Sequence, residues 1–331
     1  MKDLGKLGVG PMSEEIVEAV FLYSQKSGLP LMLISTQNQI DHDGGYVNNW
    51  TTREYINYIG KLKVKYPNAK VFVCRDHLGP GFKNYDMKDV YKTIDSDIKN
   101  NFDLIHIDFC HYKGERSELL EESKKAMKHI HSKKPEMLIE VGTDENAGAF
   151  LEDVGAIEKD MEFFSLIAPL QFFVVQTGSL AKEQNQAGSF NAEFIAKVKE
   201  KAAKFNIGLK EHNGDYIEKS EIGKRKGLID AMNVAPQFGV LQTMLSLQKC
   251  HTYGIDFTDF LHDAYNSRKW EKWLLKNNAD NKFLCSVLAG HYVFAGEAYK
   301  KIYKKISVQE NLRAAIIEEM EKNFALYLNN F

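Results

Sequence analysis

The stretch VFVCRDHLGPGF, residues 71–82, decides the predicted fold. It begins as an apolar, β-branched run typical of a buried strand and ends in Arg75, Asp76 and His77 before a Gly-Pro-Gly turn. Burying three ionisable side chains is costly unless they are paired or bind a ligand. In a barrel of parallel strands, catalytic groups lie at the carboxyl ends of the strands. The stretch therefore predicts a strand that ends at a functional site.

Seven further apolar runs recur along the chain. Amphipathic helical patterns separate most of them, and strands that alternate with helices pair in parallel. Eight such units predict an α/β fold, a TIM (β/α)8 barrel, with an open doubly wound sheet as the alternative. The predicted strands cover residues 6–10, 31–36, 71–77, 104–110, 137–143, 172–178, 207–214 and 228–236.

No strand pattern follows residue 236, and the remaining sequence has helical periodicity. We therefore predict a barrel over residues 1–239 and a helical C-terminal extension over 240–331, packed on the barrel or on a partner subunit. The helix between the last two strands should be brief. The helices predicted in the extension cover residues 239–254, 256–277, 283–306 and 307–331.

The composition limits the classes of function. A net charge of −2 leaves no basic excess for a phosphate backbone, so nucleic acid is not an expected partner. The four cysteines form no C-x-x-C pair, which is typical of reduced thiols in the cytoplasm. The sequence shows neither an export signal nor a run of about 18 apolar residues, so we expect no membrane insertion. We expect a cytoplasmic protein that binds a small molecule.

Polar side chains gather where the predicted strands end. On residues 104–110, alternation places His106 and Asp108 on one face and Ile105 and Ile107 on the other, so the polar face should point into the barrel. The same alternation turns Glu140 inward. Inward charges at one end of a barrel indicate a convergent site. The residues at these strand ends are Asp76, His77, Asp108, Glu140, Gln176, Lys210, His212 and Asn233.

Two histidines among these residues indicate a metal site. A single buried histidine is usually a hydrogen-bonded core residue, but His77 and His212 occupy corresponding strand ends beside carboxylates. This pattern predicts a divalent metal, with Zn²⁺ favoured by imidazole ligands. His106 lies deeper on its strand than Asp108, and we interpret it as structural. Asp76 and Asp108 are the candidate catalytic residues for proton transfer.

Several stretches resemble a known family in the same order along the chain. They are STQNQIDHDGGYV, RDHLGP, IHIDF, IEVGT, VVQTG, EHNGDY and NVAPQFGVLQTML. They are similar to the class II D-tagatose-bisphosphate aldolase non-catalytic subunit family, and the likeness spans about residues 5–250. The resemblance implies a TIM barrel akin to the zinc-binding class II aldolases. Some members resemble metal-dependent ketose-phosphate 4-epimerases, whereas others serve as stabilising subunits.

The resemblance also implies roles for individual residues. Asp76 would handle protons, His77 and His212 would bind zinc, and Asn233 would lie on the last strand of the site. Where the catalytic aldolases carry a further zinc-binding histidine on strand six, this chain has Gln176. Either Glu140 completes the metal site, as we predict, or the metal is weakly bound or absent. An Arg-Tyr-Tyr-like stretch of the family stands here as AGHYVF, without the arginine that would bind phosphate.

These observations predict a metal-dependent carbohydrate epimerase or aldolase that acts on a ketose or ketose phosphate. The alternative is a non-catalytic stabilising subunit of a class II tagatose-bisphosphate aldolase. The chain would accordingly form a homo-oligomer or a complex with an aldolase catalytic subunit. The predicted substrate-binding residues are Asn38, Gln176, Lys210 and Asn233.

Overall fold

A computed structural model describes residues 1–142, 153–275 and 278–331 of the chain. Eight parallel strands close into a barrel in the order β1-β10-β9-β6-β5-β4-β3-β2, which confirms the predicted TIM barrel. Their bounds are β1 Leu7–Val9, β2 Leu31–Ser35, β3 Val71–Leu78, β4 Leu104–Asp108, β5 Leu138–Gly142, β6 Leu170–Val174, β9 Gly208–Glu211 and β10 Ala231–Val234.

Helices follow the barrel strands and cover their outer faces. The brief helix predicted before the last strand is α7, which has five residues. The bounds are α1 Glu14–Ser27, α2 Thr52–Lys65, α3 Met87–Lys99, α4 Arg116–Lys133, α5 Val154–Ser165, α6 Ala192–Lys204, α7 Lys219–Gly223 and α8 Pro236–Thr252.

Alternation along the strands separates two apolar cores, of which the outer one was predicted from the sequence. Ile105 and Ile107 pack in the large core between the sheet and the helices. Leu104 belongs to a small second cluster with Met32 and Phe172, which fills the barrel interior. The interior is therefore apolar toward the amino ends of the strands, and the inward side chains become polar toward the carboxyl ends.

Several element bounds differ from the predicted ones. The sixth barrel strand ends at Val174, so Gln176 lies in the loop beyond it. That loop contains a hairpin missed by the sequence analysis, formed by β7 Ala181–Lys182 and β8 Asn185–Gln186. Residue 143 of the fifth predicted strand and residues 276–277 of a predicted helix lie outside the described residues.

The C-terminal extension is helical, but two predicted helices are interrupted. The helix predicted over 256–277 ends at Asn266, and Arg268 follows with a left-handed φ of 55° that an α-helix cannot continue. The helix predicted over 283–306 is interrupted by a 3-10 turn, Gly290–Val293. The turn begins at a glycine, a residue with low helix propensity. The bounds are α9 Thr258–Asn266, α10 Lys282–Ala289, α11 Glu297–Gln309 and α12 Leu312–Asn330.

The extension is fastened to the barrel by aromatic packing. Phe324 on α12 meets Tyr23 of α1 and Phe238 of α8 edge to face, with ring centroids 5.8 and 5.1 Å apart. Helix α8 runs across the domain boundary predicted at residue 239, and that boundary stays a prediction. Among the described helices, none has both the length and the apolar character required to span a bilayer.

Candidate metal centre and substrate pocket

A bulge in β3 brings Asp76 and His77 to the same site. Arg75 pairs with Ile105 and Leu78 with Ile107, so two residues of β3 stand opposite the single residue between those partners on β4. His77 adopts a left-handed φ of 45°. In a regular strand the two side chains would point to opposite faces. The bulge instead allows both to reach the mouth of the barrel.

Three imidazoles and one carboxylate converge at this point. Asp76, His77, His106 and His212 each offer one ligand atom, and these atoms all lie within 4.8 Å of one another. The Nε2 atom of His77 is 3.1 Å from Nδ1 of His212. Nδ1 of His106 is 3.6 Å from Oδ1 of Asp76. The structure thus brings together the predicted pair His77 and His212, although they are 135 residues apart in sequence.

Asp108 fixes the ring of His77. Its Oδ2 atom lies 2.7 Å from Nδ1 of His77, which therefore carries a proton and leaves Nε2 directed at the cluster. Burial lowers the pKa of His77, but the carboxylates of Asp76 and Asp108 outweigh it and raise the pKa to about 9. Burial conversely raises the pKa of Asp108, but the hydrogen bond from His77 and the nearby His106 hold it at about 2. Asp108 is an ionised partner of this histidine.

Glu140 and Lys210 form a buried ion pair beside the cluster. Nζ of Lys210 donates to Oε2 of Glu140 at 2.7 Å, and both side chains are almost fully buried. The other oxygen, Oε1, is 3.1 Å from Nε2 of His212. Lys210 balances the charge of Glu140 through Oε2. The other oxygen, Oε1, is therefore free to position the ring of His212. The predicted roles of Glu140 in metal binding and Lys210 in substrate binding stay predictions.

His106 is the member of the cluster that the sequence analysis interpreted as structural. It stands opposite Glu140 in the β4–β5 register, and the backbone N–H of His77 donates to its Nδ1 at 3.3 Å. Its Nε2 atom is buried and has no hydrogen-bond partner among the described residues. The alternation that placed His106 on the inward face was the available signal, since that face carries the functional groups of a barrel.

Asn233 on β10 holds the carboxylate of Asp76. Its Nδ2 group donates to Oδ1 of Asp76 at 3.1 Å and lies 3.0 Å from Nε2 of His212. Burial raises the pKa of Asp76, but the adjacent His77 and His212 outweigh it and hold the pKa well below its usual range. Asp76 is therefore an ionised, hydrogen-bonded carboxylate at neutral pH. An ionised carboxylate in this position can accept a hydrogen bond from a hydroxyl group of a bound ligand.

A cavity of about 800 Å³ opens above these residues. Asn38 lines it and donates to the carbonyl oxygen of Phe82 at 2.7 Å. Gln176 is half-buried in the loop after β6. One wall of the cavity was not predicted from the sequence. The basic and aromatic run SRKWEKW was the sequence feature that could have indicated it. The C-terminal extension contributes this wall through Arg268, Lys269, Glu271, Lys272, Trp273, His291 and Tyr292.

The donor set fits a divalent transition metal. Three imidazoles with an open fourth position are a common catalytic zinc site. His77, with a pKa of about 9, would release its Nε2 proton when a metal binds. Two features of this chain agree with that chemistry. His106 has a buried Nε2 atom without a hydrogen-bond partner among the described residues, and Asp108 orients His77 in the way that outer carboxylates orient metal-binding histidines.

A family comparison agrees with the sequence resemblance over the N-terminal part of the chain. The model of a family described as D-tagatose-1,6-bisphosphate aldolase subunit GatZ/KbaZ-like matches residues 2–134. That segment includes β1 to β4 and therefore the positions of Asp76, His77, His106 and Asp108. The remaining cluster residue, His212, lies beyond it.

Solved structures with the same fold include proteins of sugar metabolism. A probable tagatose 6 phosphate kinase from Sinorhizobium meliloti 1021 aligns over 99% of this chain and 100% of its own, with a TM-score of 0.79 and 13% identity. Fructose-bisphosphate aldolase from Campylobacter jejuni aligns over 99% and 91%, with a TM-score of 0.62 and 13% identity. The YdjI aldolase from Escherichia coli K12 aligns over 90% and 94%, with a TM-score of 0.56 and 12% identity. At these identities the similarity shows an aldolase-like fold.

Proposed function

We propose that this chain is a metal-dependent carbohydrate epimerase or aldolase that acts on a ketose or ketose phosphate. The observation that carries the proposal is the cluster of Asp76, His77, His106 and His212, of which Asp76, His77 and His212 line an open cavity and His106 is buried behind them. A buried group of three imidazoles and a carboxylate is expensive to maintain without a ligand. The aldolase-like fold agrees with carbohydrate chemistry at this end of the barrel.

His77, His106 and His212 would hold the metal, and zinc is the ion that three imidazoles favour. His106 replaces Glu140 in this assignment, because Lys210 already balances the charge of Glu140. A divalent ion bound there would act as a Lewis acid toward the carbonyl oxygen of a ketose. The cavity above the cluster leaves room for that substrate.

Asp76 would move the proton. Its carboxylate, held by Asn233, accepts the proton of the C4 hydroxyl group, and the C3–C4 bond then breaks with its electron pair passing toward the carbonyl group. If the bond re-forms on the opposite face of the cleaved aldehyde, Asp76 returns the proton and the product is the C4 epimer. If Asp76 instead returns the proton to C3 of the enolate fragment, the two fragments leave as an aldehyde and a ketone and the reaction is an aldol cleavage.

Asp76→Asn tests this assignment. The amide keeps the hydrogen-bonded shape of the side chain but cannot accept the proton, so we expect turnover to fall by about 10²- to 10⁴-fold. Metal content should remain near that of the wild type. Turnover is followed by NMR with a panel of ketoses and ketose phosphates, and metal content by mass spectrometry.

The matched control is Asp259→Asn, which changes an exposed carboxylate on α9 and should leave turnover unchanged. Treatment of the wild type with a chelator should abolish turnover, and added Zn²⁺ should restore it. Full activity in Asp76→Asn would reject Asp76 as the proton carrier. Wild-type protein that retains no metal after supplementation would reject the enzymatic proposal as a whole.

The family description favours a second candidate, an accessory subunit of a sugar aldolase, because the matching family is described as an aldolase subunit. An accessory subunit has no requirement for stoichiometric metal or for an ionised Asp76. It would raise the stability or activity of a separate catalytic chain, and this effect would survive the Asp76→Asn substitution. The two candidates therefore differ in the response to one amino-acid change.

Asp108→Asn tests the positioning of the metal-binding histidine. Asparagine still accepts the hydrogen bond from Nδ1 of His77, but it lacks the negative charge that makes the ring a strong donor. We expect zinc affinity to fall by about 10- to 100-fold. Competition with a chromogenic chelator measures this change, and urea denaturation of the metal-free protein controls for unfolding. Unchanged affinity in a folded variant would show that Asp108 does not support the metal through His77.

A further inference from the structure

The loop after β9 contains an acidic residue at a position that phosphate often takes in this fold. In TIM barrels, a substrate phosphate is frequently bound by the loops after the seventh and eighth strands and by a helix N-terminus. The seventh and eighth barrel strands here are β9 and β10, and helix α8 begins directly after β10. Asp215 lies in the first of these loops and lines the cavity.

The carboxylate of Asp215 already uses the donors at the start of α8. Its Oδ1 atom accepts the backbone N–H groups of Ala235 at 3.0 Å and Gln237 at 2.8 Å. Pro236, between them, has no N–H group to offer. An anionic ligand at this helix terminus would have to compete with a side chain that is covalently part of the protein.

The loop that carries Asp215 is held on both sides. Nε2 of Gln186, on the hairpin strand β8, lies 3.0 Å from the carbonyl oxygens of Asn213 and Asp215. On the other side, the hydroxyl group of Tyr327 lies 2.7 Å from the carbonyl oxygen of Gly214 and from Oε1 of Gln237. Asp215 itself is 2% exposed. Displacing this carboxylate would require several contacts to break together.

We propose that the side chain of Asp215 occupies the backbone N–H donors at the start of α8 and so excludes phosphate from this position, so that the substrate end over β9 and β10 carries a hydroxyl group. The inference rests on the proposed function and narrows its substrate class to ketoses without a phosphate at that end. Burial raises the pKa of Asp215 to about 7, so the exclusion rests on the two N–H donors that its oxygen occupies. The carboxyl group can form a hydrogen bond with a sugar hydroxyl. The lysine and arginine side chains that line the cavity lie elsewhere, at Lys83 in the loop after β3 and at Arg268, Lys269 and Lys272 on the extension.

Two substitutions distinguish the occupation of these N–H groups by the Asp215 side chain from the effect of its negative charge. Asp215→Ala removes the carboxylate and leaves the N–H groups of Ala235 and Gln237 without their acceptor. Asp215→Asn removes the charge but keeps an oxygen that accepts the same two hydrogen bonds. Binding of inorganic phosphate is measured by calorimetry on chelator-treated protein, so that phosphate bound to metal does not contribute. We expect Asp215→Ala to bind phosphate about tenfold or more tightly than the wild type, and Asp215→Asn to match the wild type.

Equal phosphate affinity in the wild type and Asp215→Ala would overturn the proposal, as would an equal gain in both variants. A second measurement does not depend on the folding of a variant. Wild-type kcat/KM should be about tenfold or more lower for a ketose esterified at the end that faces Asp215 than for the free ketose. A preference for that phosphate ester would also overturn the proposal. If the chain proves not to be an enzyme, the phosphate titration still decides what Asp215 does.

Discussion

Replacing His77 or His212 by alanine should remove the bound metal and abolish metal-dependent turnover in each case. Each ring supplies one nitrogen to a cluster whose ligand atoms lie within 4.8 Å of one another. Loss of an outer partner of a metal ligand weakens binding by about 10- to 100-fold, so loss of a direct ligand should exceed that range. Removing the Lewis acid costs several kcal/mol of transition-state stabilisation, or about 10³-fold or more in kcat/KM.

Metal content per chain, measured by mass spectrometry after dialysis, is the primary readout. His131→Ala provides the control, because His131 is exposed on helix α4 and should have no effect. His106→Ala should behave like the first two variants if His106 completes the site. Loss of metal in only one of the two variants His77→Ala and His212→Ala would show that His77 and His212 do not share an ion.

Breaking the Arg75–Asp97 ion pair should have the largest effect on the free energy of unfolding. Both side chains are fully buried, and the guanidinium group donates to both carboxylate oxygens of Asp97 at 2.7 Å. Its remaining N–H groups reach the carbonyl oxygens of Ser35 and Ile40. Arg75→Met leaves the carboxylate of Asp97 buried without its partner, which should lower the free energy of unfolding by about 3–5 kcal/mol.

Urea denaturation followed by circular dichroism measures the loss. Glu122→Gln breaks the exposed pair with Lys125 and should cost less than about 1 kcal/mol, which makes it the matched control. The double variant Arg75→Met/Asp97→Leu removes both charges, and we expect it to be more stable than Arg75→Met. It should not reach the wild type, because two backbone carbonyl groups still lose their donor. A small effect in Arg75→Met would mean that Asp97 finds another partner or becomes protonated.

Much of the fold could be predicted from local pattern. The eight apolar runs appear as eight parallel strands, because a strand buried on both sides requires a continuous apolar sequence. The inward position of His106 and Asp108 follows from the two-residue repeat of side chains along a strand. The pairing of His77 with His212 follows from the convergence of strand ends in a barrel.

Other features depend on contacts that no local pattern contains. The bulge that brings Asp76 and His77 to one site is a property of the β3–β4 register. It is reinforced at Gly79, where a side chain would collide with the backbone of Asp108. The ion pair that occupies Glu140 joins residues 70 positions apart. The strand-end position of Lys210 predicts substrate binding. The partner of Lys210, Glu140, cannot be identified from that position.

The contact between Tyr327 and Gly214 also sets an order of events during protein synthesis. The two residues are 113 positions apart, and a ribosome adds about 5–20 residues per second. The Asp215 loop therefore leaves the ribosome on the order of ten seconds before the helix that secures it. The strands of the barrel can pair within that interval, but the cavity wall over β9 and β10 reaches its final form only when α12 arrives. A nascent chain lacking α12 would bring Asp76, His77, His106 and His212 together before the wall of the cavity beside them is complete.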